Sequence, residues 1–185
     1  MDVGLIAFNA GADEHSTAFL EQLLDDLGAL VRRNCLTVLE TSFRVGQRLL
    51  SRGNGGMILV TSGAAWVGGA NLAAYGATKA FQLVLAEALW AEWRHAGVHV
   101  LAPVLGATDT PSLQRLVAER GGEFSDLAAP ADVARQALDH LADGPTWSMG
   151  MPDPQGPSPF GSLPRRQAVE LMSAASAAVN RRIGE

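Results

Sequence analysis

The stretch Met57-Ile58-Leu59-Val60-Thr61-Ser62 is a short apolar run that ends on two hydroxyl side chains. Glycines bound it at Gly55-Gly56 and at Gly63, which is the pattern of a buried parallel strand. Ligands of open α/β sheets bind beyond the carboxyl ends of the strands. Ser62 is therefore placed to donate a hydrogen bond to a substrate oxygen, although a serine here is also typical of a capping residue.

The run Ala74-Tyr75-Gly76-Ala77-Thr78-Lys79-Ala80 holds the only tyrosine and the only lysine of the chain. A separation of four residues is one helical turn, so both side chains share one face of a helix. Elsewhere the chain uses arginine for positive charge, and Arg does not replace Lys where a compact point charge sits beside a titrating group. The pair is therefore a candidate site.

An ammonium one turn from a phenol favours the phenolate and lowers the phenol pKa from its usual ~10. A tyrosine tuned in this way can exchange a proton with a carbonyl or alcohol oxygen. The alternative is a partly buried Tyr75 with a solvated Lys79 nearby, because pairs at this spacing are common on helices. The pair alone does not decide between these two interpretations. The surrounding residues must distinguish them.

Five elements of the sequence together resemble a known family, the short-chain dehydrogenases/reductases. They fall in the order and at the intervals of that family, and they are Asn9-Ala10-Gly11, Asn34, Ser62, Tyr75-x-x-x-Lys79 and Gly106-x-x-x-Thr110. The family consists of NAD(P)-dependent oxidoreductases with a Rossmann fold. The resemblance runs from Asp2 to about Gly150.

The resemblance implies a role for each catalytic position. Tyr75 would be the general acid/base, and Lys79 would lower its pKa and bind the nicotinamide ribose. Ser62 would position the substrate oxygen. Asn34 would kink its helix and hold a water molecule in a proton relay to Lys79.

The resemblance also implies a binding site for NAD or NADP. The turn Asn9-Ala10-Gly11 would stabilise the central sheet and pass close to the cofactor. The segment from Gly106 to Thr110 would hold the nicotinamide carboxamide, through the Thr108 backbone and the Thr110 side chain.

Strand-like runs alternate with helical runs, which predicts an α/β fold with a parallel sheet covered on both faces. The predicted strands are residues 3–8, 57–62, 98–102 and 146–149. The predicted helices are residues 16–51, 71–95, 111–119, 130–142 and 165–182, with an irregular proline-rich segment at 152–164. Residues 1–150 would form the C-terminal part of a Rossmann domain, and residues 151–185 a proline-rich loop and a C-terminal helix.

The opening of the family pattern has no counterpart in the sequence. The family begins with a strand, a glycine-rich turn and a helix that receives the pyrophosphate, whereas Gly53-Asn54-Gly55-Gly56 leads into a strand. Phe8 and Leu105 also replace an asparagine and a proline of the family. The predicted fold is thus a partial Rossmann-like, doubly wound parallel sheet with flanking helices that lacks the first βαβαβ half. Because Val3 to Phe8 is apolar like an interior strand, we expect an incomplete copy of a longer reductase.

Two functions of different classes follow. The first is an oxidoreductase of the short-chain dehydrogenase/reductase type, which transfers hydride between NAD(P) and a carbonyl or secondary alcohol with Tyr75 as general acid/base. The second is a truncated, catalytically silent fragment or a dimerising scaffold that binds no dinucleotide. The set of Asn34, Ser62, Tyr75 and Lys79 favours the first, and the missing phosphate-binding turn favours the second.

The composition argues against several other classes. A net charge of -5, with no basic cluster larger than a pair of arginines, argues against a nucleic-acid partner. Cys35 is the sole cysteine, so no internal disulfide is expected. No apolar run approaches the ~18 residues of a membrane span, and the four histidines lack the spacing of a metal site. We therefore expect a cytoplasmic protein without a metal.

The segment from Ser112 to Leu127 would form a lid over the substrate, because the family sets its specificity there. Its apolar members are Leu113, Leu116, Val117 and Phe124. A mostly apolar lid predicts a hydrophobic carbonyl or secondary alcohol. Trp66 and Met151 would line the same pocket or belong to the core.

The helix from Asn71 to His95 corresponds to one that pairs with a symmetry mate in the family, so the resemblance implies a homodimer or homotetramer. Trp90 and Trp93 on this helix fit an interface, where large aromatic side chains are enriched. The alternative is that both indoles pack on the sheet.

Overall fold

The structure, a computed structural model, describes residues 3–11, 17–120 and 127–179. The strands in these ranges are β1 (Leu5–Phe8), β2 (Gly55–Leu59), β3 (Thr61–Ser62), β4 (Val98–Leu105) and β5 (Thr146–Ser148). The α-helices are α1 (Leu24–Val31), α2 (Thr37–Arg52), α3 (Ala73–Trp93), α4 (Pro111–Arg120), α5 (Pro130–Asp139) and α6 (Arg165–Val179). A π-helical turn, Arg32–Leu36, joins α1 to α2.

The strands form one parallel arrangement. β1 pairs with β2, β2 and β3 pair with successive parts of β4, and β5 pairs with the other side of β4. Met57 lies opposite Val100, for example. Helices connect β1 to β2, β3 to β4 and β4 to β5, as parallel pairing requires, whereas only Val60 separates β2 from β3. The predicted α/β fold with a parallel sheet and flanking helices is confirmed, and the absence of a first half stays a prediction.

Several predicted boundaries differ from the structure by two residues or more, and two of them have a clear physical reason. The strand predicted to end at residue 102 continues to Leu105, because the chain stays in the ladder through Pro103, whose carbonyl accepts a hydrogen bond from the Thr61 hydroxyl at 3.0 Å. The helix predicted from residue 16 has its first α-helical residue at Leu24. Leu23 before it has an extended backbone, so the chain enters the helix only there.

The main core lies between the sheet and the helices α2 and α3. Strands β2 and β4 supply most of its fully buried side chains, among them Met57, Leu59 and Val100. Trp93 is buried in this core against α2, where a side chain at Gly46 would overlap the indole ring. Trp90 packs against the same core. The alternative interpretation therefore holds for Trp93, which is buried within the chain, whereas Trp90 is only partly buried, and the oligomeric state stays a prediction.

The helix α6 packs on a second, smaller core beside the loop that follows β3. Ala168 and Met172 on the helix meet Val67 there. The Ser173 hydroxyl accepts a hydrogen bond from the Ala70 backbone N–H at 2.9 Å. These contacts hold α6 near the carboxyl end of the sheet. The predicted boundary at residue 150 and the cytoplasmic location stay predictions, and no helix in the described ranges is long and apolar enough to cross a bilayer.

Candidate active site

A cleft of about 520 Å³ opens at the carboxyl ends of the strands, between α3, α4 and α6. Eight of the ten predicted site residues line it, and they are Asn9, Gly11, Ser62, Tyr75, Lys79, Gly106, Thr108 and Thr110. The other two do not: Asn34 is buried behind the cleft, and Ala10 is absent from its wall. Parallel strands place their carboxyl ends at one edge of the sheet, which explains why residues far apart in sequence meet here.

Ser62 stands at the end of β3, where a short 3₁₀ turn, Gly63–Ala65, begins. Its Oγ accepts a hydrogen bond from the Ala64 backbone N–H at 3.3 Å, so the serine does act as a capping residue. A hydroxyl that accepts through oxygen still has its own proton to donate. Both interpretations of Ser62 are thus compatible, since the cap orients a donor that lines the cleft.

Tyr75 reaches the same cleft because α3 packs closely on the turn after Ser62. Gly76 makes this packing possible: a Cβ at this position would lie 3.0 Å from the Ala64 carbonyl oxygen. A larger residue at this position would push the helix away from the strand end. The close approach sets the half-buried Tyr75 phenol and the Ser62 hydroxyl on one wall of the cleft.

Lys79 is buried, with only 3% of its surface exposed. Its ammonium donates to the Val60 carbonyl oxygen at 2.9 Å and to the Gln82 side-chain oxygen at 3.3 Å. The ammonium nitrogen lies 5.8 Å from the centre of the Tyr75 ring. The alternative of a solvated lysine is therefore wrong, because the side chain runs inward to the end of β2 instead of outward to water.

Burial, together with repulsion from Arg33, lowers the pKa of Lys79 from its usual 10.5 to about 8, and burial is the larger cause. The two acceptors do not cancel the loss of hydration. With this pKa the ammonium is charged at pH 7 and is mostly neutral one pH unit above about pH 8. An exposed lysine stays charged throughout this range. The positive charge beside Tyr75 is therefore sensitive to pH near 8.

Asn34 sits in the π-helical turn and is fully buried. Its side-chain amide donates to the Thr78 hydroxyl at 2.9 Å, and that hydroxyl donates to the Tyr75 carbonyl oxygen at 2.9 Å. The backbone carbonyl oxygen of Asn34 accepts a hydrogen bond from the side-chain amide of Gln82 at 2.8 Å. The helix irregularity that the resemblance implied is present, and it ties the turn to the helix that carries Tyr75 and Lys79.

The turn after β1 approaches Asn34 from the other side. Gly11 has a backbone φ of +137°, and a Cβ at this position would lie 2.6 Å from Asn34 Oδ1. Only glycine combines such a backbone with this contact. The turn that carries Asn9 and Gly11 thus reaches the wall of the cleft, where the resemblance placed the cofactor.

The segment after β4 forms the opposite wall. The Thr110 hydroxyl accepts a hydrogen bond from the Leu113 backbone N–H at 3.2 Å, which is a capping contact at the start of α4. The Thr108 hydroxyl donates to the Gly106 carbonyl oxygen at 3.3 Å. Both threonines therefore have local structural contacts in addition to their place on the cleft wall.

The lid prediction holds in part. Leu113 and Leu116 on α4 line the cleft, whereas Val117, Trp66 and Met151 do not. Phe124 lies outside the described residues. The sequence interpretation missed the contribution of α6, which supplies the apolar Met172 and Ala175 and the polar Ser176 to the lining. Their spacing marks one face of a helix, but nothing local in the sequence indicates what that face covers.

Comparison with known proteins agrees with this geometry. A family model described as short chain dehydrogenase matches residues 2–121. The 1-deoxy-11-beta-hydroxypentalenate dehydrogenase of Streptomyces exfoliatus is 40% identical over 88 residues, which are 47% of this chain and 32% of that protein. The chain thus spans about a third of the length of this relative.

Solved structures share the fold. A short chain dehydrogenase/reductase family protein superposes with a TM-score of 0.66 at 30% identity, over 76% of this chain and 60% of that one. A short-chain dehydrogenase from Sphingobium yanoikuyae in complex with NADPH gives a TM-score of 0.69 at 21% identity, over 98% of this chain and 67% of that one. With a family model matching more than half of its residues, the chain belongs to the short chain dehydrogenase family.

Proposed function

We propose that this chain carries the catalytic part of an NAD(P)-dependent oxidoreductase that interconverts a carbonyl and a secondary alcohol. One observation supports this most: Ser62, Tyr75 and Lys79 line one cleft, and Asn34 supports them from behind. A donor hydroxyl, a phenol and a buried ammonium together are suited to proton exchange with a substrate oxygen.

The proton chemistry belongs to the chain's own residues. In the reducing direction the Tyr75 hydroxyl gives its proton to the substrate oxygen, and Ser62 donates a hydrogen bond to the same oxygen. The phenolate that remains is stabilised by the Lys79 ammonium, whose charge is present at neutral pH. In the oxidising direction the same proton returns to Tyr75.

The cleft suits the nicotinamide end of NAD or NADP. Its volume of about 520 Å³ is in the range of small-molecule sites. Lys79 would hold the ribose, the Thr108 backbone and Thr110 side chain would hold the carboxamide, and the turn Asn9-Ala10-Gly11 would pass beside the ring. When bound, the cofactor supplies or accepts the hydride.

The substrate we propose is an apolar carbonyl or secondary alcohol. Leu72, Leu113, Leu116 and Met172 contribute apolar side chains to the cleft. Such a wall favours hydrophobic substrates with one polar group. The relative named for a hydroxypentalenate supports a hydroxyl-bearing substrate of this kind.

A fluorescence titration with NADH and NADPH, followed by a carbonyl screen, tests the proposal. We expect enhanced nicotinamide emission and energy transfer from the four tryptophans. Tyr75→Phe should keep the binding signal and lower turnover by about 10²–10⁴-fold. Ser51→Ala, which removes an exposed hydroxyl in the last turn of α2, is the matched control. A Phe variant with full turnover would overturn the role of Tyr75.

A catalytically silent fragment is the second candidate, and the absence of a phosphate-binding unit among the described residues favours it, whereas the unpaired edge of β1 fits a longer reductase. Within the described residues β1 pairs only with β2. Leu5 is 39% exposed, although the continuous apolar pattern of its strand is typical of an interior strand. No strand, glycine-rich turn and helix unit for a pyrophosphate occurs in the described part of the chain either. Reading the DNA upstream of Met1 separates the candidates: an in-frame glycine-rich turn supports a longer reductase, and immediate stop codons contradict it.

We further propose a homodimer or homotetramer. With Trp93 buried, the support comes from other apolar side chains on α2 and α3: Phe43 is 67% exposed and Val84 is 63% exposed. Exposed apolar side chains of this size favour burial against a partner. Light scattering should give twice or four times the chain mass of 19.4 kDa, and a monomer at high concentration would contradict the proposal.

A further inference from the structure

Gln82 is a fully buried polar residue at the centre of the hydrogen-bond network, one turn after Lys79 on α3. Both ends of its amide are used. The side-chain oxygen accepts from the Lys79 ammonium at 3.3 Å, and the side-chain nitrogen donates to the Asn34 carbonyl oxygen at 2.8 Å. Gln82 is thus the side chain that joins the lysine to the π-helical turn.

A buried amide needs a reason at this position. Leu83 and Ala86 next to it on α3 are buried core residues, and an apolar residue at position 82 would extend that core without desolvating an amide. Burying a polar group costs free energy unless it is hydrogen-bonded. Here the amide satisfies a charged donor on one side and a backbone acceptor on the other, so its orientation is fixed by both.

We propose that Gln82 is a positioning residue for the catalytic pair, which holds the Lys79 ammonium in place by linking it to the Asn34 carbonyl. The inference rests on the proposed function of Tyr75 and Lys79. It also adds to the role implied for Asn34, because the amide of Gln82 donates to the Asn34 backbone carbonyl and links it to Lys79 through protein atoms.

The consequence lies in how the ammonium protons are shared. An ammonium has three N–H donors. Val60 and Gln82 hold two of them on the inner side, which leaves the third for the cleft that Lys79 lines. Without Gln82 the Val60 carbonyl is left as the inner acceptor, so the Lys79 side chain gains freedom to move its ammonium away from Tyr75. The amide therefore holds the charge in place beside Tyr75.

Two titratable neighbours of Lys79 in the described part of the chain bear on this test. Arg33 faces it from the π-helical turn, and Tyr75 faces it from the same helix. The strand residues 55–62, which supply the Val60 acceptor, include no titratable side chain. Gln82 is the neutral acceptor in this group, so a change at position 82 acts on Lys79 without removing a charge.

The test uses the only lysine of the chain. In protein made with lysine carbon-13-labelled at Cε, one side-chain resonance reports the titration of Lys79. Gln82→Leu removes an acceptor from the charged form, so the titration midpoint should fall by about one pH unit, a tenfold weaker proton affinity. Gln82→Glu keeps the acceptor and adds a negative charge, so the midpoint should rise by at least about one pH unit.

Val98→Ala is the matched control, because it opens the same core at the amino end of β4, the end of the sheet away from the Val60 carbonyl that binds Lys79, and its midpoint should equal that of the wild type. A wild-type midpoint in Gln82→Leu would overturn the proposal. If that variant does not fold, an unchanged midpoint in Gln82→Glu would overturn it instead. Failure of the proposed function would look different, since the wild-type chain would then bind no NADH while the position-82 variants still shifted the lysine.

Discussion

Replacing Lys79 by methionine should remove a specific pH dependence of stability. In the wild type the folded chain has a Lys79 pKa of about 8, and the unfolded chain has the ordinary 10.5. Between these values the unfolded chain binds more protons, so the free energy of unfolding rises with pH in this window. Below about pH 8 the cost of burying the charge is fully present, and it disappears above the unfolded pKa.

The magnitude follows from the two pKa values. The gap corresponds to about 3 kcal/mol in total, since each pKa unit is worth ~1.4 kcal/mol. Between about pH 6.5 and about pH 9 the wild type should gain roughly 1.4 kcal/mol relative to Lys79→Met. The methionine variant also leaves the Val60 carbonyl without its donor, but that cost does not change with pH.

Urea unfolding followed by tryptophan fluorescence, for both proteins at each pH, measures this difference. The thiol of Cys35, whose pKa burial raises, is common to both proteins and cancels. We expect the wild type to gain stability relative to the variant as the pH rises. A difference that stays flat or falls with pH would refute the buried, partly desolvated lysine on which the account of the site depends.

Three further outcomes are expected. Gly11→Ala should destabilise the chain by roughly 2 kcal/mol or more, since the backbone φ of +137° and a Cβ 2.6 Å from Asn34 Oδ1 are both unfavourable. Thermal unfolding measures this loss, and Gly4→Ala is the control because a Cβ at that position has open space around it. Met172→Ala should raise the KM of a bulky apolar substrate more than it lowers kcat, and the reverse pattern in steady-state kinetics would contradict the place of α6 on the substrate side. A chelator should leave turnover unchanged, because no cluster of metal-ligating side chains occurs in the described residues. Loss of activity on chelation, with recovery when zinc or magnesium is added, would contradict this prediction.

The sequence predicts the core of the site because its signals are local. An apolar run between glycines fixes the strand that ends at Ser62, and a four-residue spacing on a helix puts Tyr75 and Lys79 on one face. Because parallel sheets bind ligands at their carboxyl ends, the serine at the strand end and the tyrosine–lysine pair are then predicted to share one site. The cleft that contains all three follows from these local rules.

The parts that the sequence does not predict depend on distant contacts. In the sequence nothing distinguishes Gln82 from the other polar residues of its helix. Only the packing of α3 on the π-helical turn gives its amide two hydrogen-bond partners. Met172 lies about a hundred residues from the strand end whose cleft it lines. The burial of Lys79 likewise comes from tertiary packing, because the four-residue spacing is equally compatible with a solvated side chain.

The central claim is that the cleft beside Tyr75 and Lys79 receives the nicotinamide end of a dinucleotide, and the Lys79 resonance tests it most directly. In chain labelled at its only lysine, NADH or NADPH is added up to about 10 mM, which would saturate a site with a millimolar dissociation constant. We expect the resonance to move and saturate with at least one of the two cofactors, and to stay in place with adenosine diphosphate alone. A resonance that neither cofactor moves, in a folded chain, would contradict the account.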